Sequence, residues 1–288
     1  MSPSSALLHA AIPRSGELLP RLGLGTYQTF DVQPGSQAGR QLAKVLQAFH
    51  RAGGRLIDSS PMYGRSEATF GELASGELRV VDELFVATKV WTDDQEQGRK
   101  QMEASLQHLG RPRGLDLMQV HNLRDFKAHW PLLEKWKAAG KLRYIGISHW
   151  QTSAFGELER IMQAHQVDFV QVPYSLAETS AAQRLIPVAA QEGVAVIANE
   201  PFDQGNLFEA MEGQPVPAWA AELGIHGWAQ YFLKWILGDE RVQFVIPATG
   251  KLEHLEELLG GARGPLPNAA QRQRMQAELG ELGRSAHS

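Results

Sequence analysis

Four side chains in this 288-residue chain have the types and spacing needed to move a proton onto a carbonyl oxygen: Asp58, Tyr63, Lys89 and His121. Asp58 closes one apolar run, and Tyr63 follows five residues later, past Pro61. Lys89 ends a second run and His121 a third. A phenol ordinarily titrates near pH 10, and a neighbouring ammonium favours the phenolate and lowers that value. Lys89 supplies such a charge. Asp58 can pair with Lys89 and keep it protonated, while His121 can donate a hydrogen bond to a substrate oxygen. A tuned phenol beside a polarising donor suits protonation of an alkoxide as hydride arrives. Hydride itself must come from a cofactor. Taken singly, an Asp, Lys or His at a strand end is more often a structural ion-pair residue. The weight lies in the combination.

The elements that would carry these residues are eight short runs rich in β-branched residues: Leu22–Thr26, Arg55–Ser59, Leu84–Val90, Leu115–His121, Tyr144–Ser148, Asp168–Tyr174, Val194–Asn199 and Val242–Pro247. Most are continuous rather than alternating, as strands covered on both faces should be. Between them lie segments of helical spacing, such as Leu42, Val45, Leu46 and Phe49 within Arg40–Ala52, and Gln101–Leu109. Strands alternating with helices at intervals of roughly 30 residues predict an α/β fold, a (β/α)8 TIM barrel. A doubly wound sheet is the rival. The long seventh interval holds an extra element, Pro215–Leu223. A turn at Arg14–Glu17 predicts an N-terminal hairpin, and residues 266–284 a C-terminal helix. With no linker in sight, residues 1–288 read as a single domain. In such a barrel the active site lies at the C-terminal strand ends, where all four residues fall.

Composition narrows the function. The formal charge is −4, which argues against nucleic acid or an anionic membrane as partner. Cysteine is absent, so thiolate metal sites and cysteine nucleophiles are excluded. Met1–Ala11 shows no export signal, and no window approaches the ~18 apolar residues of a membrane span. The expectation is a cytoplasmic monomer. Neither HExxH nor a Walker loop occurs, so no metal is expected. Gly23-Leu24-Gly25 fails as a Rossmann fingerprint because Gln28 stands where the third glycine is needed.

The run Ile57-Asp58-Ser59-Ser60-Pro61-Met62-Tyr63-Gly64-Arg65-Ser66-Glu67 resembles the signature of the aldo-keto reductases. The resemblance continues through Ala87-Thr88-Lys89-Val90, Leu117–Asn122, Gly140–Ser148 and Val245–Thr249, and spans roughly Ile12 to Gly261. It implies a reductase that interconverts aldehydes or ketones and alcohols. Tyr63 would be the general acid and base, Lys89 and Asp58 its tuning pair, and His121 the group that orients the carbonyl.

The resemblance also implies NADPH, with NADH as a second cofactor, lying across the barrel mouth. Gly25, Thr26 and Tyr27 would flank the nicotinamide, Ser148, His149 and Gln171 would hold its carboxamide, and Tyr174 would stack on the ring. Pro201, Phe202 and Gly205 would wrap the pyrophosphate, and Gly205 permits close backbone approach. Ala248, Thr249, Lys251, His254 and Glu257 fall at the adenosine end. His149 departs from the family's Asn, and Ala248 from its Lys or Arg. Aromatic residues expected near the mouth are Tyr27, Phe30, Trp91, Trp150 and Phe202, of which Tyr27, Trp91 and Trp150 are the substrate contacts. They suit a small apolar or aromatic carbonyl compound. Two other readings stand beside this one: a cofactor-sensing binding protein of the same fold, and a lyase or isomerase using Lys89 as a Schiff-base amine.

Overall fold

The computed structural model describes residues 6–285; Met1–Ser5, part of the stretch read for an export signal, lie outside the described residues. The chain opens with the expected hairpin, β1 (His9–Ala11) against β2 (Leu18–Pro20), with Ala10 opposite Leu19. Eight parallel strands follow: β3 (Leu24–Gly25), β4 (Leu56–Asp58), β5 (Phe85–Val90), β6 (Leu115–His121), β7 (Leu142–Ser148), β8 (Phe169–Pro173), β9 (Ala195–Asn199) and β10 (Phe244–Val245). Each pairs with its sequence neighbours, from β3 through to β10. Bridges Leu22–Val245 and Gly25–Ala248 join the first strand to the last and close the barrel. At Gly23 a Cβ would meet Leu56 and Ile246 at 2.8 Å, so this seam needs glycine.

Among the described residues, ten α-helices wrap the barrel: α1 (Gln37–Arg51), α2 (Ser66–Gly71), α3 (Gln95–His108), α4 (Phe126–Ala138), α5 (Phe155–Ala164), α6 (Leu185–Gln191), α7 (Asn206–Ala210), α8 (Trp228–Leu237), α9 (Leu252–Gly261) and α10 (Ala269–Ser285). The predicted stripe of α1 is buried, and Ser36 caps it by accepting from Gly39 N at 3.0 Å. The third helix starts at Gln95, six residues before the expected start at Gln101. Asp94 nucleates it there, accepting from Gln97 N at 2.8 Å. The extra element after β9 is α7 followed by a 3-10 turn, Ala218–Leu223.

Two apolar layers result. The outer one lies between strands and helices. The inner one fills the barrel with Leu56, Phe85, Leu117, Tyr144, Phe169, Ile197, Phe244 and Ile246, closed below by Ile12 and Leu19 of the hairpin. Because side chains alternate along a strand, the same inward faces continue upward into Asp58, Lys89, Gln119, His121, Ser148, Gln171 and Asn199. The polar crown is thus set by where each apolar run stops. Among the described residues, no helix is long and apolar enough to cross a membrane.

Candidate active site

The four expected residues meet at the C-terminal end of the barrel. Lys89 is fully buried, and Asp58 nearly so. The Lys89 ammonium donates to Asp58 Oδ2 at 2.6 Å and to the Ser59 carbonyl at 2.8 Å. Its third direction faces Tyr63, whose ring centre lies 5.2 Å from Nζ. The other Asp58 oxygen accepts from Gln171 at 2.9 Å and Gln119 at 3.3 Å. Tyr63 sits in a tight turn, its N–H on Ser60 O at 3.0 Å and its carbonyl accepting from Ser66 Oγ at 2.6 Å. Gly64 follows at φ +59°, where a Cβ would run into the Asp31 carboxylate. The Tyr63 and His121 rings meet edge to face at 5.9 Å.

Protonation states follow from burial and charge. Sequence reasoning expected Lys89 to lower the Tyr63 phenol. In the structure burial is the larger influence and raises it, with Lys89 pulling the other way. The cause is exclusion of water: the phenol is enclosed by surrounding elements, which disfavours its charged form. At neutral pH Tyr63 therefore carries the proton it would donate. Burial works against the Lys89 ammonium, but Asp58 and Tyr63 outweigh it and hold its pKa above the ordinary value. His121 is pushed down to about 2, first by burial, then by Lys89 and His149, and stays neutral. Ser60 Oγ lies 3.0 Å from His121 Nδ1 and accepts from Met62 N at 3.3 Å. A hydroxyl donating to Nδ1 in this contact would leave the ring proton on Nε2.

The residues read as cofactor contacts divide into two groups. Gly25 and Thr26 lie at the mouth, with Thr26 donating to Asp58 O and Ser59 Oγ. Tyr27 is 56% exposed and packs 4.9 Å from the Tyr63 ring. Ser148 pairs in register with both His121 and Gln171, and its buried hydroxyl has no partner among the described residues. His149 is half-buried, its Nδ1 accepting from Gln151 N at 3.0 Å. Gly205 has φ +105° and open space where a side chain would stand. Thr249 accepts from Lys251 N at 3.1 Å just before α9, and Ala248, Lys251, His254 and Glu257 are exposed there. Pro201 is buried in the turn after β9.

Tyr174 is a correction. It follows inward-facing Pro173, so alternation turns it outward. It is 1% exposed, packs on Trp235 at 5.1 Å, and its hydroxyl accepts from Arg272 at 2.7 Å. A ring held in the helix layer cannot stack on a ligand in the mouth. Phe30 and Phe202 are corrected too. Phe30 is fully buried in the outer layer, and the Phe202 ring turns to Phe208 and Phe232. Trp91 lies under the Arg124 guanidinium at 3.8 Å, with Arg124 bound through two nitrogens to Asp93. Trp150 is 52% exposed and lines a groove of about 380 Å³ with Pro173, Glu178, Glu200 and Asp203.

Sequence reasoning gave no role to Gln119, Ser60 or Asn199. Gln119 lies two residues before His121 on one face of β6, so alternation alone could have found it. Asn199 ends β9 with its Oδ1 buried and unpartnered; its strand-end position was the available signal.

Residues 21–273 match the profile of the Aldo/keto reductase family. The chain is 29% identical over 251 residues to methylglyoxal reductase YeaE of Escherichia coli, covering 84% of this chain and 86% of that protein. It is 26% identical over 298 residues to an NADH-specific methylglyoxal reductase of the same organism, covering 86% and 87%. An aldo-keto reductase from Klebsiella pneumoniae, solved with NADPH, superimposes with a TM-score of 0.75 at 22% identity, covering 96% of this chain and 95% of that one. With the acid, phenol, amine and imidazole gathered at one barrel mouth, the chain belongs to the aldo/keto reductase family.

Proposed function

We propose that this oxidoreductase interconverts small aldehydes or ketones and their alcohols, with Tyr63 as acid and base. The observation that carries the reading is the buried Lys89 ammonium, placed between Asp58 at 2.6 Å and the Tyr63 phenol, beside a neutral His121. His121 Nε2–H donates to the carbonyl oxygen and fixes its approach. Tyr63 then protonates that oxygen as negative charge develops on it. The phenolate left behind is stabilised by Lys89, which Asp58 keeps charged, until solvent returns the proton. General acid catalysis of this kind contributes about 10²–10⁴-fold.

A nicotinamide dinucleotide fits the mouth. Two buried polar atoms there lack partners, Ser148 Oγ and Asn199 Oδ1, and a primary carboxamide offers one acceptor and two donors to match them. Gly25, Thr26, Tyr27, Ser148, His149 and Gln171 would hold the nicotinamide end. Pro201, Gly205, Thr249 and Lys251 would hold the phosphates. When bound, the reduced ring supplies the hydride. Ala248 places no cation on a 2′-phosphate, so NADH is accepted beside NADPH; the relatives include a protein named NADH-specific and a structure holding NADPH. Trp150 and Tyr27 would border a small substrate, and the methylglyoxal named for two relatives is the first to assay.

The test is methylglyoxal-dependent oxidation of NADPH and NADH by the wild-type chain and Tyr63→Phe. The expected result is turnover by wild type and a loss of about 10²–10⁴-fold in the variant with cofactor affinity retained. Cofactor binding without turnover across a panel of aldehydes, or full activity in Tyr63→Phe, would sink the reading.

A further inference from the structure

Tyr63 stands outside the sheet. Its distance from Lys89 is therefore set by how its turn and the following helix dock on the barrel. The helix, α2, begins three residues after Tyr63, and Glu67 lies in its first turn. That carboxylate points inward and is only 3% exposed. It accepts from Thr88 Oγ1 at 2.6 Å and from Ser105 Oγ at 3.0 Å, and His108 approaches at 3.8 Å. Thr88 immediately precedes Lys89 on β5 and is itself fully buried. Among the described residues, the Glu67–Thr88 bond is the one hydrogen bond joining α2 to β5. An apolar side chain of similar size would fill the space without the cost of burying a carboxylate, but it would not fix the helix along the strand.

We propose that Glu67 is a positioning residue for proton transfer: its bonds to Thr88 and Ser105 lock the Tyr63 turn against the strand that presents Lys89. The proposal rests on the reading of Tyr63 and Lys89 given above. Misplacement by about 1 Å can cost about 10²-fold in rate, whereas substrate and cofactor contacts, made by other loops, need not change.

The experiment compares Glu67→Met, which keeps bulk but loses the bonds, with Glu67→Gln, whose amide oxygen still accepts from Thr88. Steady-state methylglyoxal reduction is measured per folded molecule. Glu67→Met is expected to lower kcat about 10- to 100-fold, with KM and cofactor Kd held within about twofold and Glu67→Gln recovering most of the loss. Unchanged kcat in Glu67→Met, or a raised KM at constant kcat, overturns the proposal. If Glu67→Met does not fold, Thr88→Val cuts the same bond from the strand side, and normal kcat there overturns it equally. Tyr63→Phe separates the two levels: if that variant is inactive while the clamp variants work normally, only the clamp fails, and if it is active the site reading fails with it.

Discussion

The two ends of the barrel are built from the same strands and behave as opposites. At the lower end Phe85, Tyr144, Phe169 and Phe244 form a chain of rings with centres 5.5 to 6.1 Å apart. The polar groups there bind one another: Tyr144 donates to Glu17 at 2.6 Å, and Arg143 bridges Glu17 and Asp116. At the upper end Ser148 Oγ, Asn199 Oδ1 and Gln119 Oε1 are buried without partners among the described residues. Loops there hold non-glycine residues at positive φ, namely Asn122, Leu123 and Asp125 after β6, and Glu200, Asp203 and Gln204 after β9. Unsatisfied groups and left-handed backbone both cost stability. The lower end offsets that cost, and so the upper end can keep groups unpaired.

Phe169→Ala gives the sharpest test of this division. The ring is fully buried at the centre of the aromatic layer, so the variant should lose about 3–5 kcal/mol of stability in denaturant unfolding. Its kcat per folded molecule should match wild type, since the crown begins two residues higher. A large fall in kcat would erase the boundary between the two ends. Ser148→Ala should do the reverse. Removing an unpartnered hydroxyl should leave stability unchanged or slightly raised, and weaken nicotinamide cofactor binding by about 1–2 kcal/mol, or about 5- to 30-fold, in a fluorescence titration. Unaltered affinity would remove Ser148 from the cofactor site.

A third effect concerns pH. His121 titrates near 6.5 when unfolded and is held down to about 2 when folded. The unfolded chain therefore binds the extra proton between these values, so stability is lost as pH falls below about 6.5. His121→Asn should flatten the dependence of unfolding free energy on pH by about 1.4 kcal/mol per pH unit between pH 6 and 4. An unchanged slope would show that the imidazole is not kept neutral.

Much of this was legible in the chain itself. Strands covered on both faces read as continuous apolar runs, and the residue at which each run stops is the residue that reaches the mouth. Asp58, Lys89 and His121 could be placed in that way. Tyr174 could not. One step along β8 moves a ring from the barrel interior to the helix layer, and its partner Arg272 is 98 residues away in sequence. Glu67 read as part of a motif, but its burial depends on α2 meeting Thr88 and Ser105, which no local pattern encodes. The Tyr63 phenol was misjudged because an ammonium can be seen in a sequence, whereas the exclusion of water by surrounding elements cannot.

The hairpin and the rings above it leave the cylinder with a sealed base. Every molecule that reaches the phenol must enter from the same side and leave by it. Where two ligands share a single doorway, the deeper one leaves only after the other, and its exit would then set the pace of a cycle limited by release.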